Sequence, residues 1–261
     1  MEIQKTVGIV LSAKEYGEAD IITRIITRDY GKRSFVFKGL KKTRKRARSA
    51  AEPGACTHLV YYFHGERDAY TVSDFTVAMH YPEIREDLDK IFHLFFLLES
   101  VDKTTGFNDS DLPVYELLAA GIDALSGTAF PAHLTSFFLI RLLGLHGILH
   151  GADACKYCGS TDFAGFTLDI NDLRPVCDSC AVSESMLDRS VMDYMTNAAR
   201  IKFSGIDHAA YSRGSIMDLL FYLSLFIENY FHIILKSKEF ILSQNSTGSG
   251  DIAAHEPPQP G

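Results

Sequence analysis

The pairs Cys155-Lys-Tyr-Cys158 and, eighteen residues later, Cys177-Asp-Ser-Cys180 form the most specific pattern in this chain. Two residues between paired cysteines let both sulfurs point the same way from one tight turn. Four thiolates at this spacing predict a closed tetrahedral zinc site, structural because no position is left for water or substrate. An iron–sulfur cluster or two disulfides would use the same cysteines, but this layout is more usual for a zinc ribbon.

The segment between the cysteine pairs is too short to bury a core of its own, so a metal would substitute for that core. Apolar stretches precede and follow it, and we expect the zinc to clamp two helical segments together. His146 and His150 lie nearby at helical spacing and could replace a ligand. With four cysteines already in place, we favour their interpretation as ordinary helix residues.

Composition limits the class of protein. A chain of 261 residues with 46% hydrophobic residues is long enough for one large or two modest domains. Its polar start predicts no secretory signal, and its most apolar run, Leu219–Ile227, is flanked by Asp218 and Glu228 and is too short to span a membrane. Cys56 is left over beside the four-cysteine set, which fits a reducing cytoplasm.

The first 80 residues predict a small β-barrel. Five short runs of β-branched or alternating residues occur there, with turn signals every eight to twelve positions. The runs are Val7–Leu11, Asp20–Thr27, Arg33–Lys38, His58–Phe63 and Asp68–Ser73. Five strands with one long excursion, from Lys38 to about Ala55, are typical of an OB-type closed sheet. Most of the aromatic residues on these strands are expected to form its core, with Phe35 and Phe37 on one face.

The excursion concentrates positive charge. Residues 28–48 carry ten Lys/Arg and one acid, whereas the rest of the chain has 16 bases and 32 acids. The run lacks apolar periodicity, so we do not expect it to pack into a core, and we expect it to stay mobile until an anion binds. A solvated loop or a targeting run is the plain alternative, but this polarity favours nucleic acid. The predicted DNA-binding residues are Lys32, Arg33, Lys38, Lys41, Lys42, Arg44, Lys45, Arg46 and Arg48.

From Pro82 onward the pattern becomes helical. Apolar residues recur every three or four positions, and a polar, Pro/Gly-rich stretch ends the chain. The predicted helices run from Pro82 to about Leu98, from Val114 to Leu125, from Pro131 towards His150, from Ser190 to Ala199 and from Arg213 to Leu235. We therefore predict an α+β, multidomain chain. Its parts are an OB-like DNA-binding domain at 1–80, a helical domain at 81–242 with a zinc ribbon at 153–182, and a disordered tail at 243–261.

Sequence motifs of catalysis are not found. The chain has no Gly-rich loop ending in Lys-Ser/Thr and no nucleophile elbow, and no spacing brings several acids to one metal. Asp109 and Asp111 are most simply a loop or helix cap. We therefore predict that the protein is not an enzyme.

Several N-terminal motifs resemble those of the bacterial recombination mediator family RecO. They are Thr6-Val-Gly-Ile-Val-Leu11, Tyr16-Gly-Glu18-Ala-Asp20, Thr27-Arg-Asp-Tyr-Gly31, and Lys38-Gly39-Leu-Lys41-Lys42 with Ser49. The order of elements matches too, and the resemblance covers about residues 3–242.

The resemblance implies a cytoplasmic, nucleoid-associated protein that binds single- and double-stranded DNA and anneals complementary strands. It also implies partners: RecR and the single-strand binding protein, with which the family loads RecA. In that family the helical domain receives the acidic, phenylalanine-ending tail of the single-strand binding protein in a pocket with basic rims. Candidate rim residues here are Arg141, Arg200, Lys202 and Arg213.

A second hypothesis comes from another class of protein. The chain could be a protein-interaction adaptor or transcription-type factor in which the zinc ribbon is the recognition element and the basic run is incidental. The two hypotheses differ in which substitutions matter: those in the basic run for the first, and those of Lys156, Thr161 or Arg174 on the ribbon for the second.

Overall fold

Strands come first in the chain and helices follow, with a small second sheet between two of the helices. The computed structural model describes residues 2–43, 48–65, 67–149, 154–182, 186–198, 201–205 and 211–243. The predicted disordered tail falls almost entirely outside these ranges. Within them, no helix is long and apolar enough to cross a membrane.

The N-terminal strands close into a barrel. They are β1 (Glu2–Tyr16), β2 (Asp20–Thr27), β3 (Gly31–Phe37), β4 (Cys56–Phe63) and β5 (Tyr70–Met79). Their order around the barrel is β1-β2-β3-β5-β4, and a short parallel pairing of β3 with β5 closes it. The predicted five-stranded OB-like barrel, and with it the α+β fold class, is confirmed.

Alternation along the strands gives the barrel two apolar surfaces. Inward-facing Val10, Ile25, Phe35 and Phe37 form a closed core with Tyr61 and other residues. Phe35 and Phe37 do share one face, and it is the dry interior. On the outside of the same strands, Ile9, Leu11 and Ile26 belong to the core of the helical part. The barrel is therefore covered on one side by helices.

Seven helices follow the barrel in the described residues. They are α1 (Pro82–Arg85), α2 (Leu88–Thr104), α3 (Leu112–Gly127), α4 (Pro131–Leu145), α5 (Arg189–Ala198), α6 (Arg213–Phe231) and α7 (Lys238–Ser243). The helix predicted from Pro82 is broken, because the Asp87 side chain accepts the backbone N–H groups of Asp89 and Lys90 and starts α2 anew. The helix predicted to reach Leu235 ends at Phe231, where His232 adopts the left-handed conformation.

The cysteine-containing segment forms a three-stranded sheet between α4 and α5. Its strands are β6 (Gly165–Leu168), β7 (Pro175–Cys177) and β8 (Leu187–Asp188), in the order β7-β6-β8. Buried Phe166 and Leu168 join the apolar cluster that contains α4 and α6, and the Thr167 hydroxyl donates to the Tyr222 hydroxyl at 2.9 Å. The ribbon is thus packed against α6.

The barrel is also held by the loop between α2 and α3. The Asn108 N–H donates to the Lys32 carbonyl at 2.9 Å, and Phe107 pairs with Lys32 as an added edge to β3. A side chain at Gly31 (φ +67°) would place its Cβ 1.8 Å from the Asp109 carbonyl oxygen, so this close approach requires glycine. The predicted domain division at 80/81 stays a prediction: strand gives way to helix there, but one apolar cluster runs across it.

Candidate nucleic-acid interface and metal centre

The four paired cysteines meet at one end of the ribbon. Cys155 and Cys158 lie in a turn before β6, while Cys177 ends β7 and Cys180 lies in the turn after it. All four sulfurs lie within 4.8 Å of one another, and Cys158 Sγ is 3.7 Å from Cys177 Sγ. Metal–sulfur bonds of about 2.3 Å in a tetrahedron would separate the sulfurs by about 3.8 Å. The arrangement therefore fits a tetrahedral metal ion.

Backbone amides favour the thiolate form of Cys155, one of the four cysteines of this cluster. The N–H groups of Cys158, Cys177 and Tyr157 point at the Cys155 sulfur and lower the pKa of its thiol to about 6. The Cys177 nitrogen is 3.4 Å from that sulfur. Since metals bind the thiolate, these amides favour the form that a metal requires. Cys155 and Cys177 are buried and Cys158 is exposed, so the cluster opens to solvent on one side only.

The basic run is anchored at its start. The Gly39 N–H donates to the Asp20 carboxylate at 2.8 Å, and the Lys41 N–H donates to the Ala19 carbonyl at 2.9 Å. Ion pairs Lys41–Glu15 at 2.8 Å and Lys42–Glu18 at 3.4 Å add to this contact with the β1–β2 turn. Residues 38–43 are therefore held in place. The central Arg44, Lys45 and Arg46 lie outside the described residues.

Apolar residues near both ends of the run pack into the barrel. Leu40, Ala50 and Ala51 are buried, and the Thr57 hydroxyl donates to the Ala50 carbonyl at 2.9 Å. The expectation that the run could not pack into a core is therefore wrong for Leu40, whose side chain seals this end of the barrel. Arg48 begins a short 3₁₀ helix and donates to the Lys41 carbonyl. Lys38, Lys42 and Arg48 remain exposed close to the β1–β2 turn.

Lys32 does not belong to this exposed surface. Its side chain is only 5% exposed, its ammonium donates to the Asp102 carbonyl, and it lies 3.5 Å from the Asp102 carboxylate and 4.6 Å from the Phe107 ring centre. Burial lowers the pKa of Lys32, with Asp102 opposing that shift. The charge of Lys32 is paired with Asp102 inside the protein. We therefore correct the sequence-based assignment and leave Lys32 out of the proposed DNA surface.

Arg33 lies at the other end of β3 from the basic run. Its guanidinium donates to the Tyr61 hydroxyl at 2.9 Å and stacks on the Tyr30 ring at 4.6 Å. Tyr70 is 5.1 Å away on the same side. The structure thus brings Lys38, Lys41, Lys42 and Arg48 together and sets Lys32 and Arg33 apart.

Two exposed side chains near this surface were missed in the sequence. Tyr16, at the end of β1, is 58% exposed beside the turn that holds the basic run. Arg24 lies on the outer face of β2 with its side chain 42% exposed. Because Ile25 is apolar and fits the core, the alternation of side chains along β2 could have placed Arg24 on the outside of the barrel. No sequence motif marks Tyr16 or Arg24.

A cavity of about 180 Å³ lies between the N-terminal ends of α4 and α6. Phe130 and Met217 give it apolar walls, and Arg213, Asp89 and His93 contribute charged or polar groups. Of the predicted rim residues, Arg213 lines this cavity. The Arg141 guanidinium instead donates to the Ile201 carbonyl at 2.7 Å, Lys202 is exposed elsewhere, and Arg200 lies outside the described residues.

His93 is the buried titratable group of this cavity. A 2.7 Å contact joins its Nδ1 to the Thr135 hydroxyl, and its Nε2 is 3.6 Å from the Asp89 carboxylate. Burial, with the nearby charge of Arg213, lowers the pKa of His93 to about 4. The imidazole is therefore neutral inside the cavity at neutral pH.

Comparison with known proteins matches nearly the whole chain. The family model described as Recombination protein O N terminal matches residues 1–81, and the model described as Recombination protein O C terminal matches residues 85–239. A DNA repair protein RecO from Moorella thermoacetica is 26% identical over 250 residues, 94% of this chain and 91% of the relative. A DNA repair protein RecO from Exiguobacterium sibiricum is 29% identical over 175 residues, 67% of this chain and 69% of the relative.

The buried His93 predicts an acid-sensitive fold. Between pH 6.5 and 4 the unfolded chain protonates this histidine while the folded chain does not, so stability falls as pH falls through that window. The full shift corresponds to about 3 kcal/mol. Denaturant unfolding at several pH values should show a shallower acid slope in His93→Gln than in wild type. His58→Gln, at an exposed position on β4, should keep the wild-type slope. An unchanged slope in His93→Gln would contradict the assignment.

Proposed function

This chain belongs to the Recombination protein O family, and from that membership and its basic loop we propose that it binds single- and double-stranded DNA, anneals complementary strands and helps to load a recombinase. The family assigns it to DNA repair and recombination. We place it in the cytoplasm, associated with the nucleoid. The observation that supports DNA binding most directly is the concentration of positive charge at one end of the barrel.

The geometry of the basic run suits a polyanion. Lys38, Lys42 and Arg48 are exposed around a base that is held by backbone hydrogen bonds to the β1–β2 turn. Phosphates that neutralise these cations would release counterions, so affinity would fall steeply with salt. Tyr16 offers an exposed ring beside them, on which a base of any sequence could stack.

Annealing needs no covalent chemistry. Two strands held on one cationic surface repel each other less, because their phosphates share the same positive charges. Pairing then follows from the bases themselves. We therefore propose that the protein acts as a mediator, not as an enzyme, and that sequence is not read.

We propose that the cavity beside Arg213 receives the acidic, phenylalanine-ending tail of the single-strand binding protein. Phe130 and Met217 supply apolar walls for an aromatic ring, and the exposed Arg213 supplies a cation for the terminal carboxylate. Asp89 also faces the cavity and would oppose an anionic tail, so binding depends on Arg213. RecR is the second proposed partner, with RecA as the recombinase that is loaded.

We propose that the four-cysteine cluster holds one structural zinc ion. Cys155, Cys158, Cys177 and Cys180 fill a tetrahedral shell and leave no position for substrate. The metal would join the two turns of a ribbon whose strands are only two to four residues long. Because the ribbon packs on α6, its metal would also stabilise the helical part.

The DNA proposal predicts a specific loss of salt dependence. Changing Arg44, Lys45 and Arg46 together to Glu should weaken binding to a fluorescent single-stranded oligonucleotide and lower the slope of log affinity against log salt by about 2, since each lost phosphate contact removes about 0.7. Lys41 and Lys42 stay in place because they hold the loop.

A matched control distinguishes the effect of the loop charges on DNA binding from the effect of the net charge of the protein. Lys5, Lys202 and Lys236 are exposed, and changing all three to Glu alters the net charge equally. This variant should keep most of the wild-type slope. Weak, salt-insensitive binding in wild type and both variants would reject the DNA proposal and favour the adaptor hypothesis.

The tail proposal predicts a loss of peptide affinity in Arg213→Gln. A synthetic acidic peptide ending in phenylalanine should bind about tenfold more weakly by fluorescence anisotropy, because a charge-assisted hydrogen bond contributes about 1.5–3 kcal/mol. Arg174→Gln, on the exposed surface of the ribbon, serves as the control with the same charge change. Equal affinity of the two variants would reject this cavity as the tail site.

The metal proposal predicts about one zinc ion per chain by elemental analysis. Cys155→Ser should lose zinc and lower the melting temperature by about 10 °C, as expected when a few kcal/mol are lost from a chain of this size. Cys56→Ser, outside the cluster, should keep its zinc. Full stability of a zinc-free preparation would show that the metal has no structural role.

A further inference from the structure

Two cations and one carboxylate meet where the barrel packs against α2, and a third cation is the next residue on that helix. Arg24 on β2 pairs with the Asp102 carboxylate at 2.8 Å, and Lys32 on β3 lies 3.5 Å from the same carboxylate. Lys103 follows Asp102 on α2 and is exposed. Asp102 and Lys32 are buried, whereas the Arg24 side chain is 42% exposed. We call this cluster the seam.

The seam has more positive than negative charge. Arg24 and Lys32 share the one Asp102 carboxylate. Burial lowers the pKa of Lys32, and the positive charges of Arg24 and Lys103 lower it further. The described ion pairs give Arg24 no carboxylate besides Asp102, and give Lys103 none. Because Lys32 already compensates Asp102 from inside, the outer edge of the Arg24 guanidinium is available to another anion.

A continuous strip of the barrel surface joins the seam to the basic run. Arg24 lies opposite Ser12 on β1 and Ser34 on β3, and its Nε donates to the Ser12 hydroxyl at 2.9 Å. The next row outward along the same face is Lys14, Ile22 and Val36. Lys38 follows at the start of the basic run. From Ser34 to Lys38 the distance is about 13 Å at strand rise.

We propose that Arg24 and Lys103 form a second phosphate-binding station, and that one DNA single strand crosses the outer face of β1, β2 and β3 from the basic run to the seam. This inference rests on the proposed DNA binding and adds its path. The path suits a linear polyanion, because cations recur along it between hydroxyl and small apolar side chains. The stretch from Lys38 to Ser34 is about 13 Å long, so a strand of the roughly 4–16 nucleotides that one OB fold covers can bridge both stations.

Asp102 is a positioning residue in this arrangement. It fixes Arg24 from the helical side, so the orientation of a DNA contact on the barrel depends on α2. The described residues 38–43 of the basic run, by contrast, make their contacts with the β1–β2 part of the barrel. The two stations therefore differ in what supports them, and this difference makes them separable by experiment.

The test compares oligothymidines of about 16 and about 3 nucleotides, the second too short for its phosphates to reach from the basic run to the seam, about 13 Å away. In Arg24→Gln/Lys103→Gln, the salt slope on the long oligonucleotide should fall by about 1 to 1.5, as expected for two lost phosphate contacts. On the short one it should match wild type. The loop variant with Arg44, Lys45 and Arg46 changed to Glu should lower the slope on both.

Two further variants keep the result interpretable. Lys5→Gln/Lys202→Gln removes the same charge elsewhere and should leave both slopes unchanged. Lys103→Gln alone leaves the Arg24–Asp102 pair intact and should produce about half the effect, so unfolding of the double variant cannot hide the answer. A wild-type slope in Lys103→Gln on the long oligonucleotide overturns the seam station. Failure of the loop variant to change either slope would instead reject DNA binding by the run.

Discussion

The outer surface of the barrel is apolar where it faces α2, and most of the architecture depends on covering it. The aromatic core inside the barrel does not include Ile9, Leu11 or Ile26. These three side chains belong to the core of the helical part instead. Burying three such side chains contributes about 5–9 kcal/mol. That contribution is comparable to the whole stability of a typical domain, so barrel and helices are expected to depend on each other.

Charge then specifies how this contact is made. The pair of Lys32 and Asp102 is buried in the same interface, and removing one member of a buried pair costs about 3–5 kcal/mol because the other charge is left uncompensated. Such a pair adds little net stability compared with the apolar contact. It joins β3 to α2, and the same Asp102 carboxylate also contacts Arg24 at the surface.

The ribbon differs from the barrel because its strands are too short to bury a core of their own. Its apolar residues Phe166 and Leu168 instead join the cluster around α6. The four cysteines meet at one end of the ribbon, and Cys155 and Cys177 are buried in the same cluster. Packing on one side and metal-ligating geometry on the other explain how a segment of about thirty residues can be inserted between α4 and α5.

The sequence by itself determined the five strands, the helical remainder, the grouping of the four cysteines and the position of the basic run, because each of these is a local pattern of spacing, alternation or charge. It did not separate Lys32 from Lys38, or reveal that Leu40 is buried, since all three lie in one charged stretch. Only the tertiary structure decided these points. Asp102 comes 70 residues after Lys32, and its backbone carbonyl and its carboxylate both contact the ammonium of that buried lysine. Long-range contacts determine which charges are used inside the protein and which remain for a partner, and no local pattern carries that information.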